Sequence, residues 1–97
     1  MNDKANKEVQ LEIHLDEETA QGVYVNMAAV NHTDTEFIID FIFAQPQAPR
    51  AKVRSRVITS PAHIKRLIVA LQENLQHYEV THGEILPPTI PQGGGYH

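Results

Sequence analysis

The chain has 97 residues, a net charge of −4 and no cysteine. That length makes one small domain with a modest core, marginal on its own, and the missing thiols exclude a disulfide-stapled scaffold and cysteine chemistry. No apolar run approaches the roughly 20 residues that span a bilayer, and the polar start MNDKANKEVQ lacks the pattern of a signal peptide, so the expected location is cytoplasmic.

Residues 1–7 are polar and read as a flexible N-terminus. From Glu8 to Leu15 the pattern alternates, with Val9, Leu11, Ile13 and Leu15 on one side and Glu8, Gln10, Glu12 and His14 on the other. This predicts a half-buried strand. The run Asp16 to Thr19 reads as a turn, because Gly22 and beta-branched residues follow it. A second strand is expected over Val23 to Val30, and Asn31 to Asp34 supply turn formers before the next apolar run.

Glu36 to Ala44 is the strongest strand, and it carries all three phenylalanines. Phe37, Ile39, Phe41 and Phe43 fall on one face; Ile38, Asp40 and Ile42 fall on the other. Pro46 and Pro49 then make a rigid loop. Ala51 to Thr59 alternates again as a fourth strand, with Lys52, Arg54, Arg56 and Ile58 on one face.

Thr59 to Tyr78 is the one clear helix. Ile64, Leu67, Ile68, Leu71, Leu75 and Tyr78 recur at spacings of three and four and form an apolar stripe. Ser60 suits the N-cap, Pro61 the first helical position and Gly83 the stop. Beyond Leu86, prolines and glycines predict a flexible tail over residues 87–97, which leaves residues 8–86 as the domain.

Together these elements predict an α+β fold: a four-stranded antiparallel meander followed by one long C-terminal helix packed on one face of the sheet. The helix-facing side would be the phenylalanine row with Val9, Leu11, Ile13, Val53 and Val57. The opposite face would carry Tyr24, Ala28, Val30, Ile38, Ile42 and Ile58, with Asp40, Arg54 and Arg56 among them. A solvent face alternates to polar residues, and this one is half apolar. Tyr24, Ile38, Asp40, Ile42, Arg54, Arg56 and Ile58 are therefore the candidate oligomer or partner face, with Asp40 paired to Arg54 or Arg56. A twofold dimer is the commonest way to bury such a surface, and a dimer or tetramer is expected.

Charge is segregated along the chain. Six of the eight basic residues lie between Arg50 and Arg66, while the first 18 residues hold six acidic ones. The basic strand is suited to phosphate, or to an acidic strand of its own sheet or of a second copy.

The segments Gly22-Val23-Tyr24-Val25-Asn26, Glu36-Phe37-Ile38-Ile39-Asp40-Phe41, Val53-Arg54-Ser55-Arg56-Val57-Ile58 and Ser60-Pro61-Ala62-His63-Ile64-Lys65-Arg66-Leu67, with the tail Tyr78-Glu79 to Gly83-Glu84-Ile85, resemble the DUF3467 family of small prokaryotic proteins. The resemblance spans about residues 9–86 and implies one coherent domain, with no reaction and no catalytic residues. The predicted architecture is also similar to the protomer of the SecB export chaperones, which assemble as dimers of dimers and hold unfolded chains.

Chemistry is sparse. The six histidines show no HExxH spacing and have no cysteine beside them, so no metal site is expected. Asp40 is the one acidic residue inside the strongest strand, a general acid or base only if a partner converges on it. Ser60 is explained as a cap, and Gly93 to Gly95 follow prolines rather than joining strand to helix. The expectation is a non-enzymatic, oligomeric protein-binding domain, chaperone-like or adaptor-like, without cofactors. The alternative is nucleic-acid binding by the basic strand Lys52–Arg56, with Tyr24 as an aromatic platform.

Overall fold

The computed structural model describes residues 10–86. Its elements in chain order are a short helix α1 (Glu17–Gln21), strands β1 (Met27–His32), β2 (Phe37–Ala44) and β3 (Ala51–Thr59), and the long helix α2 (Pro61–His82). The strands form an antiparallel sheet in the order β1-β2-β3. The class is α+β, and the sheet has three strands among the described residues, not four.

Two hairpin loops set the order. Between β1 and β2 the Thr33 hydroxyl accepts from the backbone N–H groups of Thr35 (3.2 Å) and Glu36 (3.1 Å), a serine/threonine-type turn. Between β2 and β3 the proline-bearing loop is closed by Gln45 N–H donating to Arg50 O at 2.9 Å. In register, Ala29 opposes Asp40, which opposes Arg56; Val30 opposes Ile39, which opposes Val57.

The expected first strand is the largest departure. Residues 10–15 alternate as a strand should, yet they join no ladder, and Leu11, Ile13 and Leu15 are 77%, 83% and 68% exposed. Glu8 and Val9 lie outside the described residues, as do the expected N-terminal and C-terminal flexible segments. Where a turn was expected, α1 forms instead. Glu17 and Glu18 occupy its first turn, where acidic groups favour the helix dipole, and Gly22 ends it at φ 74°. Gly22 is thus the stop of a helix rather than an argument against one.

The second strand starts later than expected, at Met27. Asn26 explains the boundary. Its carboxamide donates to Ala44 O at 2.9 Å and accepts from Ala44 N–H at 2.8 Å, so a side chain occupies the ladder position that backbone would otherwise fill. Val23 and Tyr24 therefore lie outside the strand.

The third departure is a β-bulge. Phe41 opposes Ser55 but Ile42 opposes Val53, so Arg54 is the extra residue on β3. Period-two counting across Arg54 fails as a result. Val53 joins Ile42 on the Asp40 face instead of the phenylalanine face. Ala28 and Val30, expected opposite the phenylalanines, register with Phe41 and Ile39 on their side.

Helix α2 forms as its caps predict: Ser60 Oγ accepts from His63 N–H at 3.1 Å, Pro61 opens the helix, and Gly83 (φ 98°) donates to Glu79 O at 2.8 Å. It does not pack across the sheet. The packing between elements is β1 on β2 and β2 on β3, and no residue of α2 is buried. On its stripe Ile64 and Leu67 are half-buried, whereas Ile68, Leu71, Leu75 and Tyr78 stand about half exposed along a helix some 33 Å long. The core is correspondingly thin. Among the described residues the buried side chains are Ile39, Ile42 and Asp40, all on β2.

Two substitutions test this account. Ile42→Ala should cost about 2–4 kcal/mol in a urea melt, as loss of a buried aliphatic side chain does. Ser60→Ala should cost about 1 kcal/mol through the lost cap. A melt unchanged by Ile42→Ala would mean that the sheet, as described, is not what unfolds.

Candidate functional site

The sheet places one charged pair at its centre. Asp40 sits mid-strand in β2 between Ala29 on β1 and Arg56 on β3. Arg56 meets it with both arms of its guanidinium: Nε donates to Oδ1 at 2.7 Å and a terminal amino group donates to Oδ2 at 2.9 Å. The pair is asymmetric, because the Asp40 side chain is 11% exposed and that of Arg56 62%. Bidentate geometry of this kind is the strongest form of side-chain ion pair.

The pair moves both titrations in the direction that keeps the charges. The hydrogen bonds from Arg56 hold the Asp40 carboxyl below its ordinary value of 3.8; partial burial works against them and the guanidinium charge adds to the lowering. Arg56 is raised above its usual value by the same hydrogen bonds and charge. Asp40 is thus an ionised carboxylate with both oxygens occupied. A proton shuttle at neutral pH needs the opposite shift and a free oxygen.

Of the candidate face, Ile38, Asp40, Ile42, Arg56 and Ile58 share one side of the sheet, and Val53 joins them through the bulge. Ile42 is covered within the chain, whereas Ile58 is 55% exposed. Arg54 lies in the bulge. Tyr24 belongs elsewhere: its ring stands edge-on to Phe43 with centroids 6.2 Å apart, beside the phenylalanine row.

An open cavity of about 640 Å³ lies where the β2–β3 loop meets β3, lined by Phe43, Pro49, Arg50, Lys52 and Arg54 among others. It gathers three cations and one aromatic ring in a single concavity. Among the described residues no three histidine or acidic side chains gather as a metal site would require. His32 stacks on Phe37 (5.4 Å) and His82 lies against Tyr78 (4.7 Å). No helix in the described residues is long and apolar enough to cross a membrane.

Two residues matter that pattern reading did not single out. One is Asn26, described above. The other is Glu79, whose carboxylate accepts Ile85 N–H at 3.0 Å and turns the chain after α2. The helix end and the residues after it are thus tied by a side chain.

A family profile described as "Protein of unknown function (DUF3467)" matches residues 1–87. The chain belongs to the DUF3467 family. No curated protein and no solved structure shows a significant match. The likeness to the SecB protomer depended on a fourth strand and a helix laid on the sheet; among the described residues neither forms.

The Asp40–Arg56 pair has a pH signature. A carboxyl whose folded value is depressed stabilises the fold above its unfolded value, about pH 4, and loses that contribution as pH falls through the folded value. Asp40→Asn should therefore lower the urea midpoint at pH 7, with the two proteins converging as the pH falls through the depressed folded value of Asp40. An equal deficit at both pH values would mean that the substitution acts through packing rather than charge.

Proposed function

We propose that this DUF3467 domain is a non-enzymatic, self-associating protein-interaction subunit of adaptor type. One observation supports the reading above the rest: among the described residues the apolar stripe of α2 and several apolar side chains of the sheet stand exposed. Leu71 and Tyr78 are 61% and 50% exposed on the helix, and Val57 and Ile58 are 41% and 55% exposed on the sheet. Exposed apolar patches on a small domain mark surfaces used in association. A second copy is the commonest partner for such a surface.

Light scattering coupled to size exclusion should find a dimer or tetramer that survives high salt. Leu71→Glu places a charge on the exposed stripe without touching a buried residue, so it should keep the helical signal in circular dichroism and lower the mass. A parent protein that is monomeric at every concentration would overturn the reading. A chaperone-like role requires apolar surface to stay open in the assembled protein, and a hydrophobic dye bound by the folded oligomer would report it.

A second reading rests on the cationic cavity at Arg50, Lys52 and Arg54, with Phe43 as a stacking surface. Nucleic-acid binding there predicts retention of single-stranded oligonucleotides at low salt and steep release as salt rises. Retention unaffected by Lys52→Glu would remove that reading.

A further inference from the structure

We propose that residues 10–15 are a strand that pairs antiparallel with the free edge of β3 in a second copy of the chain. The proposal rests on the self-association reading above and names the segment and the edge through which it occurs. Residues 10–15 have the sequence of a half-buried strand and no ladder to join; Leu11, Ile13 and Leu15 are left in water on one side of it. Strand β3 is the complement of this defect. It is nine residues long, and among the described residues only β2 pairs with it, so to them its outer edge offers a row of unpaired N–H and C=O groups. An exposed edge of that length is a template for another strand.

The sheet has a second free edge, on β1, and charge separates the two. No lysine or arginine occurs between residues 10 and 49, so β1 carries none, while β3 carries Lys52, Arg54 and Arg56. The incoming segment carries Glu12 and leads into Asp16, Glu17 and Glu18.

Charge also selects the direction. With Glu12 opposite Arg56 in an antiparallel pair, the acidic run Asp16 to Glu18 reaches the end of β3 where Arg50 and Lys52 stand. In a parallel pair it would pass Thr59 toward Ser60 and Pro61. The antiparallel register sets Leu11 against Val57, on the side of the sheet that holds Ile39. Arg56 is able to serve two carboxylates: Asp40 engages its Nε and one terminal amino group, which leaves the other for Glu12. Within its own chain residues 10–15 lead through α1 to β1, at the far edge of the sheet from β3. Exchange between two copies gives each β3 the partner's strand in a closed, twofold arrangement.

The natural absence of cysteine makes a direct test possible in the full chain. Leu11→Cys and Val57→Cys are made in separate chains of different tagged mass, mixed and mildly oxidised. Val30→Cys replaces Val57→Cys as the control, because Val30 and Val57 flank Ile39 from opposite edges of the sheet. The expected result is a mixed disulfide of L11C with V57C in several-fold excess over L11C with V30C. A double L11C/V57C chain should run as a covalent dimer. Ile13→Cys with Ser55→Cys is the second pair on the same register, for use if V57C does not fold. A preferred link to V30C, or a double variant closed within one monomer, overturns the proposal. So does the absence of any preferred link in a protein that light scattering still finds oligomeric, and that outcome leaves self-association standing. A monomer by light scattering overturns both.

Discussion

β2 is the one strand here with a neighbour on each side, and the buried side chains of the described chain all come from it. A charged residue in the middle of such a strand constrains everything around it. Asp40 needs a cation at the cross-strand position, and Arg56 supplies one with both carboxylate oxygens engaged. Sliding β3 by one residue would face Asp40 with Ser55 or Val57 and turn the apolar set of β3 to the opposite side. The ion pair therefore acts as a register pin. Its contribution to stability is modest, because Arg56 is largely in water; its contribution to specificity is the choice of one pairing over its neighbours. The bulge at Arg54 lets the remainder of β3 continue along β2 after that choice is made.

The long elements were legible because they are strongly periodic. β2, β3 and α2 each carry their period through eight or more residues, and the caps Ser60, Pro61 and Gly83 mark α2 without ambiguity. The pairing of Asp40 with an arginine of the next strand was legible too, since a hairpin places such residues opposite one another. Three things were not. A one-residue bulge leaves no mark on the alternation of Val53-Arg54-Ser55, although it decides which face Val53 joins. Asn26 reads as a strand residue by position, whereas its side chain ends the ladder by standing in for backbone. Residues 10–15 have a strand's pattern, and pattern reports a face that wants burial without naming the surface that buries it.

That last failure and the uncovered helix have a common cause. Periodicity measures the demand for burial, and a meander with a helix on top is the intramolecular way to meet it. In this chain the demand exceeds what three strands and one helix satisfy among themselves. A small domain keeps a net stability of only about 5–15 kcal/mol after large opposing terms. Among the described residues a core of two aliphatic side chains and one ion pair is thin support for that margin, and the proposed burial between chains would add to it. On the proposed self-association, oligomerisation would be part of the folding energetics of this sequence rather than a later addition to a finished monomer.

The charge pattern bears on how such an assembly would find its geometry. Copies of a chain carrying −4 repel one another at long range, and physiological salt screens that repulsion beyond roughly 8 Å. Inside that distance the local pattern takes over. An acidic segment and a basic strand edge on the same polypeptide attract each other between copies while identical segments repel. Apolar surface alone would hold copies together in many orientations, because burial has no direction. Charge segregated along the chain adds the direction: it disfavours edge-to-edge contact between two β3 strands, whose cations would meet, and favours the contact of unlike segments. In the proposed assembly, uncovered side chains would contribute stability and the order of the charges would contribute specificity.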